Sequence, residues 1–275
     1  MKRGGNPKSE IRNPKEFRSP KNRKGQVNFR NSRFGFASDF GFRRSDFLLW
    51  QLADSAFPTG GFAHSAGLEA AWQHGEVRHR GELISFVETS LRQVGRASLP
   101  FVSAVYAEPE RAGEFDDLCD AFTTNHVANR ASRAQGRAFL VAVERIFLAG
   151  QASRLSPCKN LEAQKNMETG RMPVLRFGHF PCVFGVALRR LEIDAETTSR
   201  LFFFNHLRGV LAAAVRLNIV GPMEAQALQH HLTSRVEAII KICESLTVDD
   251  IAQTSPLLDL WQGAQDRLYS RLFQS

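Results

Sequence analysis

The sequence predicts an all-α protein, a single helical bundle of about eight to ten helices. Apolar residues recur at helical spacing in four separate segments, and proline and glycine stand where those segments should stop. Period-two alternation of β-branched residues, the mark of strands, is nearly absent.

The helical pattern begins at Phe47. Leu83, Val87, Leu91 and Val94 fall on one helical face, reinforced by Ile84 and Phe86. Phe139, Leu140, Val143, Ile146 and Phe147 form a second stripe. Leu201, Phe204, Leu207, Leu211 and Val215 run through a stretch that is apolar nearly all round, which predicts a central helix. Ala225, Leu228, Leu232, Val236, Ile239 and Cys243 make a further stripe. Expected stops are Pro58 with Gly60 and Gly61, Pro100, Pro109, Gly150, and Gly221 with Pro222. Ser255 before Pro256 reads as an N-cap followed by proline at the first helical position, opening the last helix. A looser region is expected at about residues 150–180.

The formal charge of +8 over 275 residues is unevenly spread. Residues 1–46 hold 13 basic and four acidic side chains, a local +9, which leaves the other 229 residues at −1. That basic segment is repetitive: Asn6-Pro7-Lys8 recurs at Asn13-Pro14-Lys15, and Phe34-Gly35-Phe36 recurs at Phe40-Gly41-Phe42. With few branched aliphatic residues it cannot offset its ordering entropy, and it is expected to be disordered. It reads either as a nucleic-acid arm, with phenylalanines to stack on bases, or as a tail without a role, translated upstream of the real start. Met167 is the next methionine, so a downstream start would use a non-ATG codon, for instance near Val27 or Leu48. Residues 47–275 form the expected helical domain, long enough to bury a sizeable core. No apolar run reaches the ~18–20 residues of a membrane helix. Cys119, Cys158, Cys182 and Cys243 are widely spaced, without a CxxC pair, which suits a reducing cytoplasm.

Catalytic and cofactor motifs are missing. The sequence has no GxxxxGK[ST] phosphate loop, HExxH, GxSxG or GxGxxG. His230 and His231 are adjacent and would point about 100° apart on a helix. His179 and Cys182 could supply two soft ligands, but no further pair is in reach by pattern, and a structural histidine is the better reading. Glu237, Glu244, Asp249 and Asp250 read as solvated charge or caps. The expectation is a protein without enzymatic activity, cofactor or metal site.

Two segments are unusual for a plain bundle. Leu-Ala-Asp-Ser-Ala-Phe-Pro-Thr-Gly-Gly-Phe-Ala-His-Ser at 52–65 is followed by Gly67-Leu68-Glu69. Pro58, Gly60, Gly61 and Gly67 make a sharp corner that places Phe62 and His64. An ordinary helix–helix turn accounts for the same residues. At the other end, Arg267, Leu268, Tyr269, Arg271, Leu272 and Phe273 crowd arginine and aromatic side chains into a terminal segment. As a helix it would align Arg267 with Arg271 and Leu268 with Leu272. Such residues concentrate binding energy in protein interfaces, although the segment could equally dock on its own core.

Taken together, these two end motifs resemble the UreF family of urease accessory proteins. Asn125 to Ser132, Gln135-Gly136, Ala213 to Leu217, Gly221-Pro222 and Gln226 fit as well, so the likeness spans residues 47–275 and leaves out 1–46. The resemblance implies an all-α, non-catalytic protein working as a homodimer with UreD (UreH in some species) and the GTPase UreG to deliver nickel to apo-urease. UreG would supply the phosphate chemistry that this chain lacks. It also implies interface roles for Phe62, where the family often has tyrosine, and for Arg271. A loose tail that orders when UreD docks, anchored by Leu268, Leu272 and Phe273, would bring Arg271 to the glycine corner and complete a surface for UreG. Nucleic acid and membrane are not expected partners of the body.

Removing residues 1–46 separates the family reading from a nucleic-acid-binding one. The truncated chain is expected to restore urease activity in a strain lacking UreF. Should the basic arm carry function instead, complementation will fail, and a polyanion affinity that falls steeply with salt will disappear with it.

Overall fold

The computed structural model describes residues 44–148 and 175–275. The repeats of the basic segment, Gly150, Cys158 and most of the stretch expected to be loose lie outside the described residues. Within them every regular element is helical and no strand occurs. The elements are α1 (Arg44–Ala53), α2 (Leu68–Gln73), α3 (Arg80–Ala97), α4 (Leu99–Ala107), α5 (Ala112–Phe122), α6 (His126–Val143), α7 (Phe180–Arg190), α8 (Ala195–Arg216), α9 (Pro222–Cys243) and α10 (Pro256–Ala264). Short 3₁₀ turns sit at Gly61–Ala63, Pro109–Arg111 and Gln265–Arg267.

Local chemistry explains most of the boundaries. The Asn125 side chain accepts from the amides of Val127 and Ala128 and so starts α6, while Asp194 accepts from Thr197 and starts α8. Proline occupies the first turn of α4, α7, α9 and α10, where its missing N–H is harmless. Pro100 therefore opens a helix one residue after α3 has ended, where a plain stop was expected. Ser255 does precede α10, but its hydroxyl makes no cap hydrogen bond. Helix α6 passes into a π turn at Glu144–Leu148, which rotates the following side chains out of the 3.6-residue register. Ile146, expected on the buried stripe, is consequently exposed.

Helix α8 is central, as its all-round apolar character predicted. It packs against α9, α3, α4, α2, α7 and α1, and buries Leu201, Phe203, Leu207, Val210, Leu211 and Ala214. The helix most completely enclosed is α7, in which every residue from Pro181 to Leu188 is buried. Its Phe180 and Phe184 rings pack against those of Phe139 and Phe202, with centroids 5.3–5.8 Å apart. Close approach to α4 depends on Gly185, where an added Cβ would stand 2.5 Å from the Val102 carbonyl oxygen. Among the described residues no helix is long and apolar enough to cross a membrane.

Gly185→Ala should accordingly force α4 and α7 apart and cost ~1–3 kcal/mol, lowering the melting temperature by roughly 2–4 °C per kcal/mol for a domain of this size. Gly209→Ala is the matched control. It lies within α8 with no atom in range of its added Cβ, so helix propensity alone predicts stabilisation of up to ~1 kcal/mol. Thermal melts of the two variants test the pair.

Candidate functional site

The glycine corner and the chain terminus, 200 residues apart in sequence, meet on the buried carboxylate of Glu69 in α2. Its Oε1 accepts the Leu272 amide at 2.6 Å, and its Oε2 accepts the Phe273 amide at 3.1 Å and the Gln265 side-chain amide at 2.5 Å. Gln265 also donates to the Phe273 carbonyl at 3.2 Å. Beyond Glu69 the last residues run beside the corner. The Gln274 amide donates to the Ala63 carbonyl at 2.8 Å, and the Ser65 amide and hydroxyl donate to the Ser275 carbonyl oxygen at 2.5 and 3.1 Å. His64 Nδ1 is hydrogen-bonded to the Ser275 hydroxyl.

Backbone conformation makes the corner. Gly60 and Gly67 have φ of +72° and +86°, in the region that favours glycine, and Ala66 joins them at +54°. A Cβ on Gly67 would also crowd Gln262 of α10 at 3.1 Å. Gly61, expected to share this role, has no positive φ. Pro58 is exposed, following a buried Phe57.

Several sequence expectations change here. The terminal segment is not a helix: α10 ends at Ala264, the 3₁₀ turn ends at Arg267, and the rest is irregular. Glu69 captures backbone N–H groups at Leu272 and Phe273 that a helix would spend internally. Arg267 and Arg271 therefore do not share a helical face, nor do Leu268 and Leu272. The tail is also held within the single chain instead of being loose. Phe273 is buried in the chain's own core, and Leu268 is half-buried. Leu272 remains 57% exposed, and Tyr269 is fully exposed.

The arginine at the glycine corner is Arg216 of α8, not Arg271. Its guanidinium lies between the rings of Phe62 and Phe273, 4.1 Å from each centroid, and donates to the carbonyls of Phe62 at 2.6 Å and Leu272 at 3.3 Å. Phe62 thus contributes through its ring face, which a phenylalanine supplies without a hydroxyl. Arg271 instead bonds Asp266 at 3.2 Å, within a cluster where Arg130 grips the same carboxylate at 2.8 and 3.1 Å and His126 approaches at 3.2 Å. Arg130 is the first cause holding the Asp266 carboxyl below its usual value.

The His179 and Cys182 pair is structural. His179 is fully buried, with Nδ1 bonded to the Ser132 hydroxyl and Nε2 to Asp120, so both ring nitrogens are taken. Asp120 is lowered to about 2, its hydrogen bonds from Asn129, Arg133 and His179 outweighing burial. The neighbouring Cys119 thiol, then burial, push the Cys182 thiol well above its ordinary value. Asp250 accepts from Thr247, and Glu237 pairs with Arg200, as caps and solvated charge should. Among the described residues no group of three His, Cys, Asp or Glu side chains could hold a metal ion.

Two predictions follow from this geometry. Glu69→Gln replaces one acceptor oxygen with a donor that faces other donors. It should speed amide exchange at Leu272 and Phe273 by ~10–100-fold, the equivalent of one hydrogen bond to a charged group at ~1.5–3 kcal/mol. Unchanged exchange would show that the tail is held by something else. The second concerns pH. Burial, with Arg130 adding to it, lowers His64 to about 4, and burial lowers His206 to about 4, from an ordinary 6.5. The unfolded chain then binds more protons than the folded one between these values, so stability present above about pH 6.5 is lost as pH falls toward 4. Urea unfolding midpoints across that window should fall more shallowly in His64→Gln than in the parent.

Residues 77–233 match the model of the UreF family. Among curated relatives, urease accessory protein F of Oryza sativa subsp. indica is 38% identical over 226 residues, covering 82% of this chain and 83% of that protein. The protein of the same name from Arabidopsis thaliana is 38% identical over 228 residues, covering 82% and 91%. Urease accessory protein UreF of Trichodesmium erythraeum is 27% identical over 231 residues, covering 82% and 94%.

Proposed function

The chain belongs to the UreF family, and from its place in urease maturation we propose that it is a non-catalytic cytoplasmic adaptor bridging UreD/UreH and the GTPase UreG while nickel is inserted into apo-urease. It acts as a homodimer in that complex and modulates GTP hydrolysis by UreG. One observation supports the reading above others: the tail held on Glu69 leaves Phe62, Tyr269 and Leu272 exposed beside it. Large apolar side chains left in water at the end of a chain are the residue types that concentrate interface energy.

In this reading UreD/UreH docks on Tyr269 and Leu272. UreG docks on a surface that includes Arg271 and the glycine corner with Phe62 and His64, while Arg267 and Leu268 complete the rim. A tail already held by Glu69, Ser65 and Arg216 needs little further ordering, which favours tight docking. Partner coupling then arises from a shared rigid surface.

The test is co-purification of the full chain with UreD/UreH and UreG, followed by nickel loading of apo-urease. A Tyr269→Ala, Leu272→Ala double variant should lose at least tenfold in UreD/UreH capture, the equivalent of ~1.4 kcal/mol or more, with its melting temperature unchanged. Undiminished capture of both partners by a chain lacking residues 266–275 would sink the proposal.

A further inference from the structure

Beneath the glycine corner lies a pocket of about 420 Å³, partly open to solvent and walled by the loop carrying Phe57, by α6 and by α8. Its volume falls in the range of ~300–1,000 Å³ typical of small-molecule sites. Ala128 and Ala131 of α6 and Gly209 and Ala212 of α8 leave the space open, and Phe57 and Phe202 make much of its surface apolar. Asn205 is also in the wall, and both its side-chain oxygen and nitrogen are buried without a hydrogen-bond partner. Buried amides are normally satisfied, so an orphaned one marks a place where a partner atom belongs.

Arg208 and Arg216 line the cavity, and among the described residues no aspartate or glutamate side chain does. The terminal carboxyl of Ser275, held by Ser65, lies in the wall at the Arg216 end and leaves the Arg208 end the more positive. Among the described residues neither arginine is in an ion pair: Arg208 donates to the Ala53 carbonyl, and Arg216 to the carbonyls of Phe62 and Leu272. Asp54 acts on Arg208 only through space. A guanidinium bonded to a neutral carbonyl, with a carboxylate acting on it only at a distance, keeps much of a field that favours an anion and opposes a metal cation. The apolar remainder of the wall favours a ligand with a hydrophobic body and a single charge over a heavily solvated phosphate dianion.

From the cavity, Arg208 in its wall and the unpartnered amide of Asn205 we infer that this site binds a small organic carboxylate. The carboxylate lies toward Arg208 and Asn205, and its apolar body lies between Phe57 and Phe202. This assignment stands on the cavity alone and does not rest on the partner reading above.

Calorimetric titration of the full chain with benzoate tests it, with benzamide as the uncharged isostere. Benzoate should bind saturably at one site, and benzamide at least tenfold more weakly. Asn205→Asp places a negative charge in the wall and should weaken benzoate at least tenfold. Ala131→Leu fills the space from the opposite side and should abolish binding. Absence of saturable benzoate binding, equal affinity for benzamide, or an Asn205→Asp affinity equal to that of the parent would each overturn the inference. The benzoate and benzamide comparison on the unaltered chain decides the matter even if a variant does not fold.

Discussion

A single buried carboxylate determines how this chain ends. Glu69 sits on the first turn of α2, with its backbone in the core and its two oxygens turned toward the terminus. Burying a carboxylate is costly unless its lone pairs are occupied, and unpaired backbone N–H groups near a core are costly as well. The Leu272 and Phe273 amides and the Gln265 side chain remove both costs at once. The rest of the corner follows. With Phe273 fixed, its ring closes one side of Arg216 and Phe62 closes the other, and the final residues line up beside Ala63 and Ser65. The left-handed turn at Ala66 and Gly67 brings Glu69 under the tail.

The same device recurs at the other mechanically important junction. Asp116 of α5 is buried, and its two oxygens accept the amides of Phe177, Gly178 and His179 at 2.7–2.9 Å. Those residues lead directly into α7, the most enclosed helix. A carboxylate that collects consecutive amides fixes where the chain enters, and Gly136 and Gly185 then allow α7 to approach α6 and α4 backbone to backbone. In both places a helix offers a charged side chain to a segment that lacks regular hydrogen bonds of its own. The segment gains a defined path without becoming a helix or a strand.

How much of this the sequence made legible depended on periodicity. Helices α3 and α9, with one buried and one solvated face, were readable residue by residue, and Leu83, Val87, Leu91, Leu228 and Leu232 are buried as their spacing required. The all-round apolar α8 was recognisable as central. Helix α7 was missed because a run of apolar residues without a polar face carries no period, and eight or nine such residues fit a strand as well as a helix. Ile146 leaves the buried stripe because a π turn breaks the 3.6-residue register. At the site, the composition of the two end motifs marked both partners of the contact, but not what joins them. Nothing local ties Glu69 to Leu272 or Arg216 to Phe62, since these pairings are long-range and lie in irregular backbone. The family resemblance implied that Arg271 would reach the corner, whereas Asp266, which also binds Arg130 and His126, holds that guanidinium elsewhere in the single chain.

A tail that is held before any partner arrives changes the energetics that its composition suggested. Had the last ten residues been free, docking would have to offset their ordering, roughly 1–2 kcal/mol of backbone entropy per residue. Glu69, Ser65 and Arg216 meet much of that cost within the chain, through contacts that no partner need supply. What then distinguishes the bound from the free state is apolar area, and Tyr269 and Leu272 are the tail residues that still have it to lose. The body's near-neutral charge fits this division. Since 23 basic and 24 acidic side chains leave it at −1, long-range attraction would contribute little to the proposed docking, which would rest on shape and burial where the two ends of the domain meet.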